Sequence, residues 1–274
     1  MSRALPDDRS VDAPPPRLVD AHCHLDLPAF DEDRDAVVAR ARAAGVEALV
    51  LPGTGPEAWE GLARTRDALP LPAALCLGVH PEWLGGLDDD ALSSALAELP
   101  RALERYGAVG LGETGLDKRI EASVPAERQA EAARAQLGTA RALGLPLVLH
   151  VVRRHGAMLA LLDEAGPARG MVHAFAGPAE LVPAYVERGF YLSVGGAATR
   201  PGARRVRAAV KAIPAERLLL ETDAPDLTPA GAPTTRNEPA YLRRVLAAVA
   251  ALRGEPEDEL AERSAANARR LFAF

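Results

Sequence analysis

Short apolar runs alternate with helical stretches along almost the whole chain, and this constrains the fold more than any other feature. The apolar runs are Arg17–Val19, Ala48–Leu51, Ala73–Val79, Val109–Gly112, Leu147–His150, Gly170–Val172, Tyr191–Val194 and Leu218–Glu221. Few of them alternate polar with apolar residues, as expected of strands covered on both faces. Helical stretches lie between them, among them Arg34–Ala44, Pro56–Ala68, Asp90–Tyr106, Ala126–Leu143 and Pro178–Arg188. Pro56, Pro125 and Pro178 stand near helix starts, and Gly45, Gly107, Gly144 and Gly189 follow helix ends, the usual punctuation. Two more helices, Pro239–Leu252 and Pro256–Phe272, close the chain.

Eight such units in 274 residues predict an α/β fold, a single (β/α)8 TIM-type barrel of the usual ~250 residues. A doubly wound open sheet is the alternative, but nothing resembles its glycine-rich phosphate turn. The barrel is expected over residues 17–274. Residues 1–16 are polar, end in Pro14-Pro15-Pro16 and lack the apolar centre of a signal peptide, so they read as a loose tail. No run of ~18 apolar residues predicts a membrane span. With 48% hydrophobic and 26% charged residues, a soluble monomer is expected. Two cysteines, Cys23 and Cys76, make no disulfide framework and suit a reducing, cytoplasmic compartment. Each is read as a small buried hydrophobe or, less simply, as a ligand or nucleophile. The net charge of −6 excludes a generally basic nucleic-acid footprint. A nucleic-acid substrate would need local arginines or a metal.

Barrel active sites lie at the C-terminal ends of the strands. Strand one ends in Asp20-Ala21-His22-Cys23-His24, strand three in Gly78-Val79-His80-Pro81, and strand four in Gly112-Glu113-Thr114-Gly115-Leu116-Asp117. Strand five ends at His150, ahead of Arg153 and Arg154, strand six at His173, and strand eight in Glu221-Thr222-Asp223. Five of the six histidines fall at these ends, and only His155 does not. Residues two apart on a strand share a face, so His22 and His24 can turn into the barrel mouth while Cys23 turns into packing. Imidazole suits zinc, nickel, iron or copper, and carboxylates extend the range to manganese and magnesium. Four histidines with Glu113 and Asp223 exceed the needs of one tetrahedral ion and suit two divalent ions bridged by a carboxylate. Two metals ~3.5–4 Å apart stabilise the attacking and leaving oxygens of a displacement. A nearby carboxylate can take the proton of the attacking water. His80 is read as a substrate contact or a loop cap. Arg153 or Arg154 is expected to meet a phosphate, or the two form a solvated pair, and Lys118 and Arg119 stand equally. Arg200, Arg204, Arg205 and Arg207 read more readily as a solvated helix face. Trp59, Trp83 and Phe175 are core residues or base-stacking platforms, with Phe175 the one placed at the substrate.

The set Asp20-Ala21-His22-Cys23-His24-Leu25-Asp26, Gly78-Val79-His80-Pro81, Gly112-Glu113-Thr114-Gly115-Leu116-Asp117, Val172-His173-Ala174-Phe175-Ala176-Gly177, Leu220-Glu221-Thr222-Asp223-Ala224-Pro225 and Arg236-Asn237-Glu238-Pro239 resembles the TatD family of metal-dependent deoxyribonucleases. The resemblance runs from about Leu18 to Phe272. His150-Val151-Val152-Arg153-Arg154-His155 and Gly195-Gly196-Ala197-Ala198-Thr199 bring it nearest to the YjjV-like bacterial branch. The resemblance implies a TIM-type barrel with His22, His24 and Asp223 on one metal, His150 and His173 on a second, and Glu113 bridging. It further implies Asp223 as proton acceptor, His80 near the substrate phosphate, and 3′→5′ hydrolysis of single-stranded DNA or RNA. Lys118 stands where the family often has an aromatic residue, and His173-Ala174-Phe175-Ala176-Gly177 departs from the common His-Cys-Phe-Ser-Gly. Both departures bear on substrate preference. The remaining alternatives are an amidohydrolase on a small amide or ester, and a non-catalytic metal-binding barrel. Glu113, standing where a carbamylated lysine would be needed, weighs against the former. The complete ligand set weighs against the latter.

Overall fold

The computed structural model describes residues 16–273. Its strands are β1 (Leu18–Asp20), β2 (Val46–Pro52), β3 (Ala73–Leu77), β4 (Gly110–Asp117), β5 (Leu147–Val152), β6 (Gly170–Val172), β7 (Phe190–Val194) and β8 (Leu218–Leu220). They form one eight-stranded sheet in chain order, each strand parallel to the next. The end of β8 returns to that of β1: Ala21 N–H donates to Leu220 O at 3.0 Å and Asp223 N–H to His22 O at 2.9 Å. A nearly closed barrel therefore replaces the open-sheet alternative. The tail expected over residues 1–16 lies outside the described residues except for its last member.

The helices are α1 (Arg34–Ala43), α2 (Pro56–Ala68), α3 (Asp89–Arg105), α4 (Ala126–Leu143), α5 (His155–Ala165), α6 (Val182–Glu187), α7 (Arg204–Ala212), α8 (Leu242–Arg253) and α9 (Glu257–Phe272). Two apolar layers explain the missing alternation in the strands. Leu49, Leu51, Leu75, Leu77, Leu149, Leu192 and Leu220 face the helices. Val19, Val50, Ala74, Val148, Met171 and Leu219 form the inner cluster, joined by Ala265, Ala268, Leu271 and Phe272 of α9. That helix plugs the end of the barrel remote from the expected site. Each fully buried leucine contributes roughly 1.5–3 kcal/mol, so a strand apolar on both faces is held from both sides. No described helix is long and apolar enough to cross a membrane.

Helix α4 also positions the opposite rim. Gln136 grips Val79, accepting from its N–H at 2.8 Å and donating to its carbonyl at 3.0 Å. Gln129 does the same for Asp117, at 2.7 and 3.1 Å. Both glutamines are buried, where leaving such backbone groups unpaired would cost about 1–3 kcal/mol each.

Strand β4 corrects the sequence reading. It continues to Asp117 rather than ending at Gly112, and its register against β5 shifts between Leu111 and Thr114. Leu111 packs outward among the helices, so strict alternation would send Glu113 outward too. One extra residue in the strand turns the following side chains to the other face, and Glu113 points inward. Gly112 makes this possible: its φ is +152°, and a Cβ there would lie 2.5 Å from Val148 O.

Candidate metal centre

His22 and His24 lie just beyond β1, which ends at Asp20. Val19 and Ala21 belong to the inner cluster, so continued strand alternation would have turned His22 outward. The chain leaves the strand instead, and the two Nε2 atoms converge at 3.1 Å. Asp20 enforces the turn. Its buried carboxylate accepts from His22 N–H at 3.3 Å, from Thr222 N–H at 2.9 Å and from Thr222 Oγ1 at 2.5 Å. Asp223 follows with a φ of +59°, a conformation aspartate tolerates better than most residues. Asn237 holds that loop by donating to Thr222 O at 2.8 Å and Asp226 O at 2.7 Å. Ion pairs from Glu238 to Arg40 and from Arg236 to Asp33, each at 2.7 Å, fasten its flanks.

The six expected ligands meet in one place, and the carboxylate of Glu113 divides them. Its Oε2 lies 3.3 Å from His22 Nε2 and 3.6 Å from His24 Nε2, with Asp223 Oδ1 at 3.5 and 3.6 Å from the same two nitrogens. Its Oε1 lies 2.9 Å from His150 Nδ1 and 2.7 Å from His173 Nε2, and those nitrogens are 2.9 Å apart. Ligand atoms about 2.1 Å from a common ion sit roughly 3.0 Å apart in an octahedron and 3.4 Å in a tetrahedron. The observed separations, 2.7 to 3.6 Å, bracket that range within a few tenths of an ångström. Nitrogen and carboxylate donors together suit zinc, nickel, iron or manganese, so the residues fit a divalent metal. His22 with His24 and Glu113, His22 with His173 and Asp223, and His80 with Glu113 and His150 each form a group able to hold one.

Electrostatics agree. Burial opposes charge on Glu113, yet His173, His80 and His22 hold its carboxyl well below the usual range. Burial also opposes charge on His24, but the hydrogen bond to Asp223 and the charge of Glu113 raise it to about 9. His173 rises to about 10 against burial, chiefly through Glu113. His22, fully enclosed and beside His173, is pushed down to about 4. Deeper carboxyls support the ligands. Burial lifts Asp20 to about 7, against hydrogen bonds from Thr222. It lifts Glu221, which accepts from Ala174 N–H and Ser193 Oγ, to about 8.

His80 joins the second group, its Nε2 3.4 Å from Glu113 Oε1. Its Nδ1 accepts from Glu82 N–H at 3.2 Å, which leaves the proton of the neutral ring on Nε2. Burial lowers its pKa despite Glu113. The ring thus caps the loop and also aims an N–H at the centre. Asp117 was not singled out from the sequence. Its Oδ2 holds His150 Nε2 at 2.9 Å, and Arg119 binds the same carboxylate at 2.6 Å. A second carboxylate in the same strand-end motif, four residues after Glu113 and so on the same face of the strand, is the signal that could have found it.

Two cavities open onto the centre. One of about 680 Å³ takes His24, His80, Glu113 and Asp223 with Trp83, Glu82 and Asp226. The other, about 380 Å³, takes His150, His173 and Asp223 with Arg153, Arg205 and His155. Arg153 is therefore at the rim, whereas Arg154 is paired with Glu121. Phe175 is among the residues lining the smaller cavity. It is 1% exposed and packs edge-on against His155 and Tyr185, so no ring face is free for a stacked base. Trp59 is core, donating to Gly78 O at 3.0 Å. Lys118 follows β4 at the surface, and Arg200 and Arg207 bind backbone carbonyls. Cys23 packs in the outer layer and Cys76 in the inner one.

Comparison with known proteins places this arrangement. The family described as TatD related DNase matches residues 19–273. The metal-dependent hydrolase YjjV of Escherichia coli is 38% identical over 261 residues, covering 93% of this chain and 98% of its own. The 3′-5′ ssDNA/RNA exonuclease TatD of Klebsiella pneumoniae is 39% identical over 268 residues, covering 94% and 98%. The crystal structure of the E. coli YjjV protein superposes with a TM-score of 0.85 over 94% of this chain and 98% of that one, at 34% identity. An N-acetyl-D-glucosamine-6-phosphate deacetylase from Mycobacterium smegmatis, at 21% identity and TM-score 0.60, shares the barrel fold alone. The chain belongs to the TatD family of metal-dependent, DNase-related hydrolases.

Proposed function

We propose that the chain is a phosphodiesterase that holds two divalent ions and trims single-stranded DNA or RNA from the 3′ end. The observation that carries this reading is Glu113, whose Oε2 lies nearest His22 and whose Oε1 lies nearest His150 and His173. His22, His24 and Asp223 would hold one ion, and His150 and His173 the other. When bound, the pair supplies an acidified water and offsets charge building on the phosphate oxygens. Zinc, nickel or manganese suits the imidazole-rich set better than magnesium, which favours oxygen ligands.

Asp223 is the acceptor for the water's proton: it lines both cavities, and its side chain is 14% exposed against 3% for Glu113. His80 donates from Nε2 to a phosphate oxygen. Arg153, at the rim and without an ion-pair partner among the described residues, meets the substrate's charge. The relatives named as 3′-5′ ssDNA/RNA exonucleases support the substrate class and polarity. The test is hydrolysis of labelled single strands and of bis(p-nitrophenyl) phosphate by protein stripped and reloaded with zinc, manganese, nickel or magnesium. Metal-dependent cleavage that disappears in Glu113→Ala is expected, and equal activity in that variant overturns the reading.

A further inference from the structure

The two cavities differ in charge. The larger is acidic: beyond the ligands it carries Glu82, Asp117 and Asp226, and its one arginine, Arg119, is bound to Asp117. In the smaller, Asp223 is the one carboxylate among the lining residues, and Arg153 and Arg205 line it together with Arg119, which is bound to Asp117. Neither Arg153 nor Arg205 has a carboxylate partner among the described residues. Both residues are exposed. Arg153 has a φ of +57°, a conformation that L side chains seldom adopt. Arg205 lies in the first turn of α7, which carries no acidic residue, and positive charge there opposes the helix dipole. Burial and the charge of Arg205 lower His155, on the same wall, to about 4. That ring adds no positive charge at neutral pH. The walls between are apolar, from Val151, Val206 and Leu227.

We infer that this smaller cavity is an anion subsite taking a second phosphate of the substrate, adjacent in the chain to the phosphate at the metal centre. The inference rests on the phosphodiesterase reading above. A space of about 380 Å³ is near the lower end of small-ligand pockets and admits one nucleotide unit rather than a strand. In a chain of net charge −6, these two arginines concentrate the attraction for phosphate on one side of the centre. A substrate therefore enters with its next phosphate toward β5–β7 and away from the acidic cavity.

The test uses three thymidine dinucleotides: without a terminal phosphate, with a 5′-phosphate and with a 3′-phosphate. One terminal phosphate is expected to lower KM about tenfold or more, the scale of a charge-assisted contact. Arg205→Glu should abolish that preference and Arg205→Lys should restore part of it. Arg204→Glu, an equally exposed neighbour outside the cavity lining, should keep it. Calorimetric binding of the same dinucleotides to metal-stripped protein gives a second readout, with the phosphorylated form expected to bind more tightly and to lose that advantage in Arg205→Glu. No preference in the wild type, or a preference surviving in Arg205→Glu, overturns the subsite. Hydrolysis of bis(p-nitrophenyl) phosphate without such a preference sinks the subsite alone. Absence of hydrolysis with every metal and every substrate sinks the phosphodiesterase reading and the subsite with it.

Discussion

The two ligand sets are held in different ways. His22, His24 and Asp223 are fixed through the main chain: Asp223 N–H donates to His22 O, and Asp20 clamps both His22 and Thr222. The far nitrogens of those imidazoles, His22 Nδ1 and His24 Nδ1, have no hydrogen-bond partner among the described residues. On the other side His150 is held through its own ring by Asp117, which Arg119 and Gln129 secure in turn, while His173 Nδ1, like those of the first set, has no hydrogen-bond partner among the described residues. A histidine can thus be aimed by its backbone or by a carboxylate behind it. The first route divides the load between main-chain bonds and the side chains of Asp20 and Asn237. The second concentrates the risk in one residue and raises ligand basicity.

Glu113 is where the two sets depend on each other, so its loss should have the largest effect. Glu113→Gln is expected to lower kcat/KM on the order of a thousandfold and to reduce metal content on both sides, since removal of one charge-stabilising group alone costs 10²–10³. Retention of one full equivalent of tightly bound metal, measured by elemental analysis, would break the symmetry drawn here. Asp117→Asn comes next. It should cost about 10- to 100-fold in metal affinity or activity and affect one equivalent only. A matching loss in both equivalents would mean that the sets are not separately supported.

The barrel and its ligands were legible because they depend on local pattern. Strands covered on both faces read as unbroken apolar runs, and histidines crowd the strand ends. What was not legible depends on register and on long-range pairing. The inward turn of Glu113 comes from an extra residue in β4, and alternation alone would have placed it outside. Asp117 was quoted within a motif but acquires its role only when β5 lies beside it, 33 residues along the chain. Phe175 looked like a stacking platform because it follows His173, but its burial depends on Tyr185 and His155 packing across it. Arg205 is an exposed residue of α7, as its sequence pattern suggested, and only the fold shows that it also lines the smaller cavity.

The main-chain route has a weaker test in Asn237, which joins Thr222 to Asp226. Asn237→Ala should lower stability by about 1–3 kcal/mol, the cost of leaving buried carbonyls unpaired. It should weaken metal binding at the first set by a few fold, with the second unchanged. Equal weakening at both would show that the loop carrying Asp223 is not what distinguishes them.

Proton release should give the smallest signal, and it tests both sets together. His24, in the first set, is raised to about 9 and His173, in the second, to about 10, so both are protonated in stripped protein at pH 7. Metal binding needs neutral imidazole, and loading at pH 7 should therefore release about two protons, read by calorimetry in buffers of different ionisation enthalpy. The linkage runs the same way for stability. Both folded-state values lie above the unfolded value of ~6.5, so these ion pairs stabilise the stripped fold fully below that pH and lose their contribution as pH rises through about 9 to 10. The melting temperature of stripped protein should fall across that window, while the proton count on loading falls with it. His24→Ala and His173→Ala should each remove about one proton from the count at pH 7. A count that vanishes with either substitution alone would show that Glu113 couples the two sets into a single titrating unit.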